Sequence, residues 1–171
     1  MTNFSPAFEK MIRNEGGYVL HEVKGDRGGQ TYAGVARKFH PNWGGWSYID
    51  QGDTDNPALS EAVRAFYEKN FWDRIKGAKI KDQNVAETIF DFAVNAGVKT
   101  ASKLVQLVVG AVPDGIIGPN TIERVNKQDP EVFILKYALT KVTRYAEICN
   151  RNRSQNKFLL GWINRTIKGL T

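Results

Sequence analysis

From Pro57 to the end of the chain, apolar residues return every three or four positions, and this regularity limits the fold more than any other feature of the sequence. Leu59, Ala62, Val63, Phe66 and Tyr67 lie on one face of a helix reaching about Trp72. Over residues 83–108 the same spacing links Val85, Ala86, Ile89, Phe90, Ala93 and Val94, then Ala101, Leu104, Val105 and Val108, with a break or bend at Gly97. Pro113 to Pro119 is a turn leading into a short helix near Asn120 to Asn126. Asp129-Pro130 caps a long helix to about Arg151, and a last helix fits Lys157 to Lys168. The expected class is mostly α. A chain of 171 residues has room for one good core, so a single domain over 1–171 is expected.

The start of the chain follows this rule and then departs from it. Ser5 caps and Pro6 opens a first helix, with Phe4, Phe8, Met11 and Ile12 on its buried stripe. The stripe continues to positions 15 and 16, so Glu15 falls on the inward face at the last turn, and Gly16-Gly17 stops the helix. Residues 18–36 read as short extended segments around Gly25-Asp26 and Gly28-Gly29, a small irregular or β-hairpin region. His40 to Tyr48 reads as an ordered, aromatic-rich loop and Gln51 to Asn56 as a polar linker.

An acid projecting inward at a helix end needs a reason. The C-terminal end of a helix is partially negative, and partial burial against Phe4, Phe8 or Ile12 removes water; both favour the neutral acid, which can donate a proton. Asp26 follows in a polar, glycine-rich turn and suits an ionised role, with Thr31 on the same loop to position a water. A proton donor plus a second carboxylate is what glycoside hydrolysis requires, and the glycines let backbone approach a sugar closely. The alternative is purely structural: Glu15 pairs with Arg13 or Arg27 and the glycines are only turns. Spacing leaves both open.

Charge narrows the partners. A net charge of +6 and a pI near 9.4 favour acidic partners, whether nucleic acid, membrane surface or wall polymer. No nucleic-acid-binding motif is present, so nucleic acid is not an expected partner. The single cysteine, Cys149, sits on a helical apolar stripe and reads as core, and His21 and His40 lack ligand spacing. No metal and no other cofactor are therefore expected. No apolar run approaches the roughly 20 residues of a membrane span, so stable membrane insertion is not expected. The N-terminus lacks the pattern of a signal peptide, which points to synthesis in the cytoplasm and release by another agent.

Three motifs in order then suggest a family. Glu15-Gly16-Gly17-Tyr18 closing the first helix, followed by Asp26-x-Gly-Gly-x-Thr31 and Gly34-Val35, resembles the N-acetylmuramidases of glycoside hydrolase family 108, described by their Glu-Gly-Gly-Tyr motif. Phe90-Asp91-Phe92-Ala93-Val94-Asn95-Ala96-Gly97, with Ala101 and Leu104-Val105-Gln106, resembles the central helices of that family. Asp114-Gly115-Ile116-Ile117-Gly118-Pro119-x-Thr121 and Gly161-Trp162-Ile163-Asn164-Arg165 resemble its peptidoglycan-binding segment.

The resemblance implies a lysozyme-like helical fold, with 1–95 as the catalytic muramidase portion and 96–171 as the helical peptidoglycan-binding portion. It implies a peptidoglycan hydrolase of the phage or prophage endolysin type, acting in the periplasm or wall after holin-type release. Glu15 would be the catalytic acid, with Asp26 and Thr31 completing a series similar to the triad of phage-type lysozymes. The family loop more often reads Asn-Asp-Pro after the tyrosine. Here Leu20-His21-Glu22-Val23-Lys24 stands instead, which keeps Glu22 as an alternative second carboxylate.

Tyr18, Tyr32, Trp43 and Trp46 are aromatics that could stack on sugar rings or simply fold their own loop down. Asp91 and Asn95, one turn apart, could hold the N-acetyl or lactyl groups or tie the helix to the motif loop. Peptidoglycan glycan strands are the expected partner of a monomer. The basic lean of Arg144, Arg151, Arg153, Lys157, Arg165 and Lys168 adds an anionic envelope surface as a further one. Two rival readings remain, a lytic transglycosylase acting on the same bond and a non-catalytic wall-binding module.

Overall fold

The computed structural model describes residues 1–22 and 29–170. Helices dominate, and one small sheet interrupts them near the start. The chain divides into two compact units: an N-terminal unit, Phe4–Trp72, and a helical unit made of Met1–Asn3 with everything from Asp73 onward.

In the N-terminal unit, helix α1 spans Phe4–Asn14 and buries Phe4, Ala7, Phe8, Met11 and Ile12, the stripe expected from spacing. Strands β1 (Leu20–Glu22), β2 (Gln30–Tyr32) and β3 (Val35–Ala36) form an antiparallel sheet in that order. The register sets Leu20 opposite Tyr32, His21 opposite Thr31 and Glu22 opposite Gln30. Between β2 and β3 only Ala33 and Gly34 turn the chain, with φ of +47° and +82°. Two successive positive φ values are those of a type I′ turn, whose twist matches the flanking strands.

The aromatic segment departs from a plain loop, because Trp46–Asp50 closes into a short helix, α2. Its indole nitrogen donates to the His40 carbonyl at 2.7 Å. Helix α3 (Pro57–Tyr67) starts where Asn56 accepts a hydrogen bond from the Ala58 N–H, with Pro57 at the first helical position. The expected helix does not continue as α to Trp72: Glu68–Trp72 is a π-helical turn. There the Asn70 side-chain amide donates to the Phe66 carbonyl at 2.8 Å, taking an acceptor the ladder would otherwise use. Phe4, Phe8, Tyr67 and Trp72 form the aromatic centre of this unit, with ring centroids 5.5–6.0 Å apart.

The helical unit contains α4 (Gln83–Ala96), α5 (Val98–Val108), α6 (Pro119–Asn126), α7 (Pro130–Arg151) and α8 (Asn156–Lys168). Asp82 caps α4 by accepting from the Val85 N–H, and Asp129 caps α7 in the same way through Val132. Gly97 breaks α4 from α5 at φ +89°, a conformation that excludes most side chains. Helix α7 packs on α4, α5 and α8. Its inner stripe is Phe133, Tyr137, Lys141, Tyr145 and Cys149, so the cysteine is core, as its setting predicts, and a lysine sits in the same row. Among the described residues, no helix is long and apolar enough to cross a membrane.

Candidate active site

Glu15 follows the last residue of α1, and its position is fixed by how that helix ends. Its N–H donates to the Met11 carbonyl at 2.9 Å, Gly16 to Arg13 at 3.3 Å and Gly17 to Ile12 at 2.8 Å. The last two bonds are the paired closure of a Schellman motif, with Glu15 at the cap and Gly16 at the following position with φ +89°. Space around Gly16 and Gly17 is open, so backbone conformation and not crowding demands glycine there. The Glu15 side chain is half-buried.

The β2–β3 turn approaches that carboxylate. A Cβ built on Gly34 would lie 4.0 Å from Glu15 Oε2 and would collide with the Tyr67 hydroxyl. Tyr67, 2% exposed on α3, donates that hydroxyl to the Ala33 carbonyl at 2.8 Å. Burial, and then the Glu15 charge, push the Tyr67 phenol well above its ordinary range, so it remains a donor. Three segments far apart in sequence thus meet: a helix cap, a glycine turn and a buried tyrosine. Sequence reading counted Tyr67 only among the apolar stripe. The available signal was a hydroxyl on an inward face, which must find an acceptor.

The remaining expected site residues separate clearly. Thr31 is half-buried in the middle of β2, with Ala36 opposite it on β3. Asp26 lies outside the described residues. Glu22, its alternative, accepts a hydrogen bond from the Gln30 amide at 2.6 Å. Gln30 in turn accepts from Arg37 at 2.6 Å, and Arg37 forms a two-pronged pair with Asp50 at 2.6 and 2.7 Å. This chain of polar contacts ties the sheet to α2. The Arg37 hydrogen bonds hold the Asp50 carboxyl below the usual carboxylate range.

Among the aromatics, Tyr32 and Trp46 are each 3% exposed. Trp43 stacks on Tyr32 with ring centroids 6.5 Å apart and meets Trp46 edge-on at 5.1 Å. Gly45 is required because any side chain there would run into the Trp43 ring. Tyr32 and Trp46 therefore hold positions of core packing and offer no ring face to a sugar, which corrects the stacking expectation for these two. Trp43 keeps a half-buried ring and Tyr18 a 43% exposed one. Burial raises the Tyr18 phenol, against the opposing pull of Arg64, with Glu61 and Glu9 adding to the rise.

In the helical unit, Asp91 pairs with Arg165 at 3.2 Å and so links α4 to α8, while Asn95, one turn on, is exposed. Trp162 is half-buried against Tyr145 and Phe158. Among the described residues, no three His, Cys, Asp or Glu side chains converge as metal ligands.

The Glu15 arrangement lies inside a segment, residues 8–97, that matches the family model described as Glycosyl hydrolase 108. The chain belongs to that family. A second family model, described as "Predicted Peptidoglycan domain", matches residues 100–167. Together they make this glycosyl hydrolase 108 member a glycoside hydrolase acting on peptidoglycan, with a peptidoglycan-binding segment after its hydrolase segment. Among solved structures, the family member is similar to SagA of Brucella abortus, at 24% identity and a TM-score of 0.70, over 98% of this chain and 91% of that one. The shared fold is mostly helical and lysozyme-like. No curated protein sequence matches the chain.

Proposed function

We propose that the protein is an N-acetylmuramidase that hydrolyses the β-1,4 bond between N-acetylmuramic acid and N-acetylglucosamine, with Glu15 as the general acid. The observation that carries this reading is the position of Glu15: a half-buried carboxyl at a helix cap, with the side-chain-free Gly34 beside it. The Gly34 turn and the Tyr67 hydroxyl close against this side of the carboxyl, where a Cβ has no room, and so fix the acid in place. Asp26, with Thr31 positioning the water, serves as the second carboxylate. The reaction inverts the anomeric centre, as in phage-type lysozymes whose triad resembles this one, which requires the two carboxyls to stand roughly 6.5–9.5 Å apart. Tyr18 and Trp43 are the aromatic faces available to the glycan, and Asn95 the exposed amide for an acetyl or lactyl group; Asp91 acts through its pair with Arg165.

The first portion, 1–95, performs the hydrolysis and 96–171 holds the wall. The setting is that of a phage or prophage endolysin, made in the cytoplasm and released to the wall by a holin, acting as a monomer. Glu15→Gln tests the assignment: clearing of wall suspensions falls to background while the circular dichroism spectrum stays unchanged. Full clearing by this variant would show that Glu15 is not the general acid. Mass spectrometry of the released fragments completes the test, since reducing muramic acid ends are expected and 1,6-anhydro ends would make the enzyme a lytic transglycosylase.

A further inference from the structure

Within the helical unit, α5, α7 and the turn after α5 enclose an open groove of about 420 Å³. Lys99 and Lys103 reach it from α5 and Arg144 from α7, while Leu104, Leu107 and Pro113 supply an apolar wall. No acidic side chain lines it. None of the three cations forms an ion pair among the described residues.

The neighbouring turn is built against the two lysines. Gly115 has φ +83°, and a Cβ there would stand 2.7 Å from Lys99 Cγ and 3.4 Å from Lys103 Cγ, so the turn lies directly on both aliphatic stems. Gln106, 2% exposed, locks the turn: it accepts from the Gly115 N–H at 2.9 Å and donates to the Asp114 carboxylate at 2.7 Å and the Ile116 carbonyl at 3.0 Å. Asp114 also accepts from the Ile116 N–H at 2.8 Å, so its charge is engaged by the turn.

We propose that this groove binds the carboxylate-bearing peptide that peptidoglycan carries on its muramyl residues. The peptide's free carboxylates meet Lys99, Lys103 and Arg144, and its alanine methyls meet Leu104, Leu107 and Pro113. Where the peptide is attached, the lactyl carboxyl is tied up in an amide and the sugar offers nothing to three cations, and a phosphate polymer has no use for an apolar wall. A short peptide with alternating methyls and carboxylates satisfies both halves, and the arginine suits two-pronged carboxylate contact. The inference rests on the peptidoglycan reading above and deepens it, by assigning the wall-holding segment to the peptide and not to the sugar.

The test titrates the full chain with N-acetylglucosaminyl-N-acetylmuramyl-tetrapeptide and with the same disaccharide whose lactyl carboxyl is capped as a simple amide, by calorimetry and by amide chemical shifts. The peptide-bearing probe is expected to bind more tightly, and less so as salt rises. Lys99→Gln, Lys103→Gln and Arg144→Gln together keep the stems and are expected to weaken that binding by roughly tenfold or more, as loss of charge-assisted hydrogen bonds implies. Lys103→Arg alone is expected to retain it. Equal affinity for the two disaccharides, a preference untouched in the triple variant, or tighter binding of inorganic phosphate at the same residues would each overturn the proposal. Should the triple variant not fold, shift changes in the unmodified chain that bypass Leu104, Leu107 and Arg144 overturn it as well. A chain that prefers the peptide yet releases no reducing ends defeats the muramidase reading and leaves the groove standing; hydrolysis without peptide preference does the reverse.

Discussion

Lys141 should weaken the protein at neutral pH, and replacing it with methionine should show by how much. The side chain is 7% exposed in the inner row of α7, with its ammonium 4.9 Å from the Phe92 ring centre and 4.6 Å from that of Tyr137. Burial pushes its pKa down from 10.5 to about 8, Asp91 pulls it back up and Arg165 adds to the fall. The depressed native value means that the unfolded chain holds this proton more tightly. The cost of burying the charge is therefore fully present below about pH 8, shrinks as pH rises from 8 to 10.5, and is gone above that. At about 1.36 kcal/mol per pH unit the cost comes to roughly 3 kcal/mol.

Methionine keeps an unbranched, flexible shape in the same space, and Asp91 retains its pair with Arg165. Losing the two ring contacts gives back about 0.5–2 kcal/mol, so Lys141→Met should be more stable at pH 7 by roughly 1–3 kcal/mol. Urea unfolding followed by tryptophan fluorescence at pH 7, 8, 9 and 10 reads this as a shift in midpoint at constant slope. The advantage should narrow steadily above pH 8. A variant less stable than the parent at pH 7, or an advantage that stays flat to pH 10, would refute the reasoning.

Two further substitutions probe the N-terminal unit. Gly34→Ala places a methyl at φ +82° against the Tyr67 hydroxyl, and should cost about 1–3 kcal/mol together with much of the wall-clearing activity; an unchanged melting temperature would show that the turn is not held as described. Trp46→Ala removes a buried indole that sits beneath Arg37 and against Trp43, and should cost about 3–5 kcal/mol. Melting curves and glycan-fragment affinity measured side by side decide its role: weaker binding at unchanged stability would restore the sugar-stacking role that its burial argues against.

The end of α1 shows how far the sequence alone could carry the site. A stripe of Phe4, Phe8, Met11 and Ile12 followed by two glycines prescribes a buried face, a stop and an acid at that stop, because helical spacing and positive φ are local properties of the chain. The cap at Asp129 and the break at Gly97 were legible for the same reason. The family resemblance was legible too, since its motifs are short and ordered.

What no local pattern contains is which distant groups face one another. Tertiary packing alone brought Gly34 and the Tyr67 hydroxyl to the Glu15 carboxylate, from positions up to half a hundred residues apart in the chain. Burial likewise turned Tyr32 and Trp46 inward, because an aromatic on a loop can face water or core and only its neighbours choose. Lys141 occupies a row whose spacing asks for an apolar residue, and the charge could be placed there only once Phe92, Tyr137 and the Asp91–Arg165 pair had closed around it. Periodicity determined the helices and the stop that carries the acid; the surroundings of each functional side chain came from contacts across the fold, where free energy depends on partners that the chain brings together only by folding.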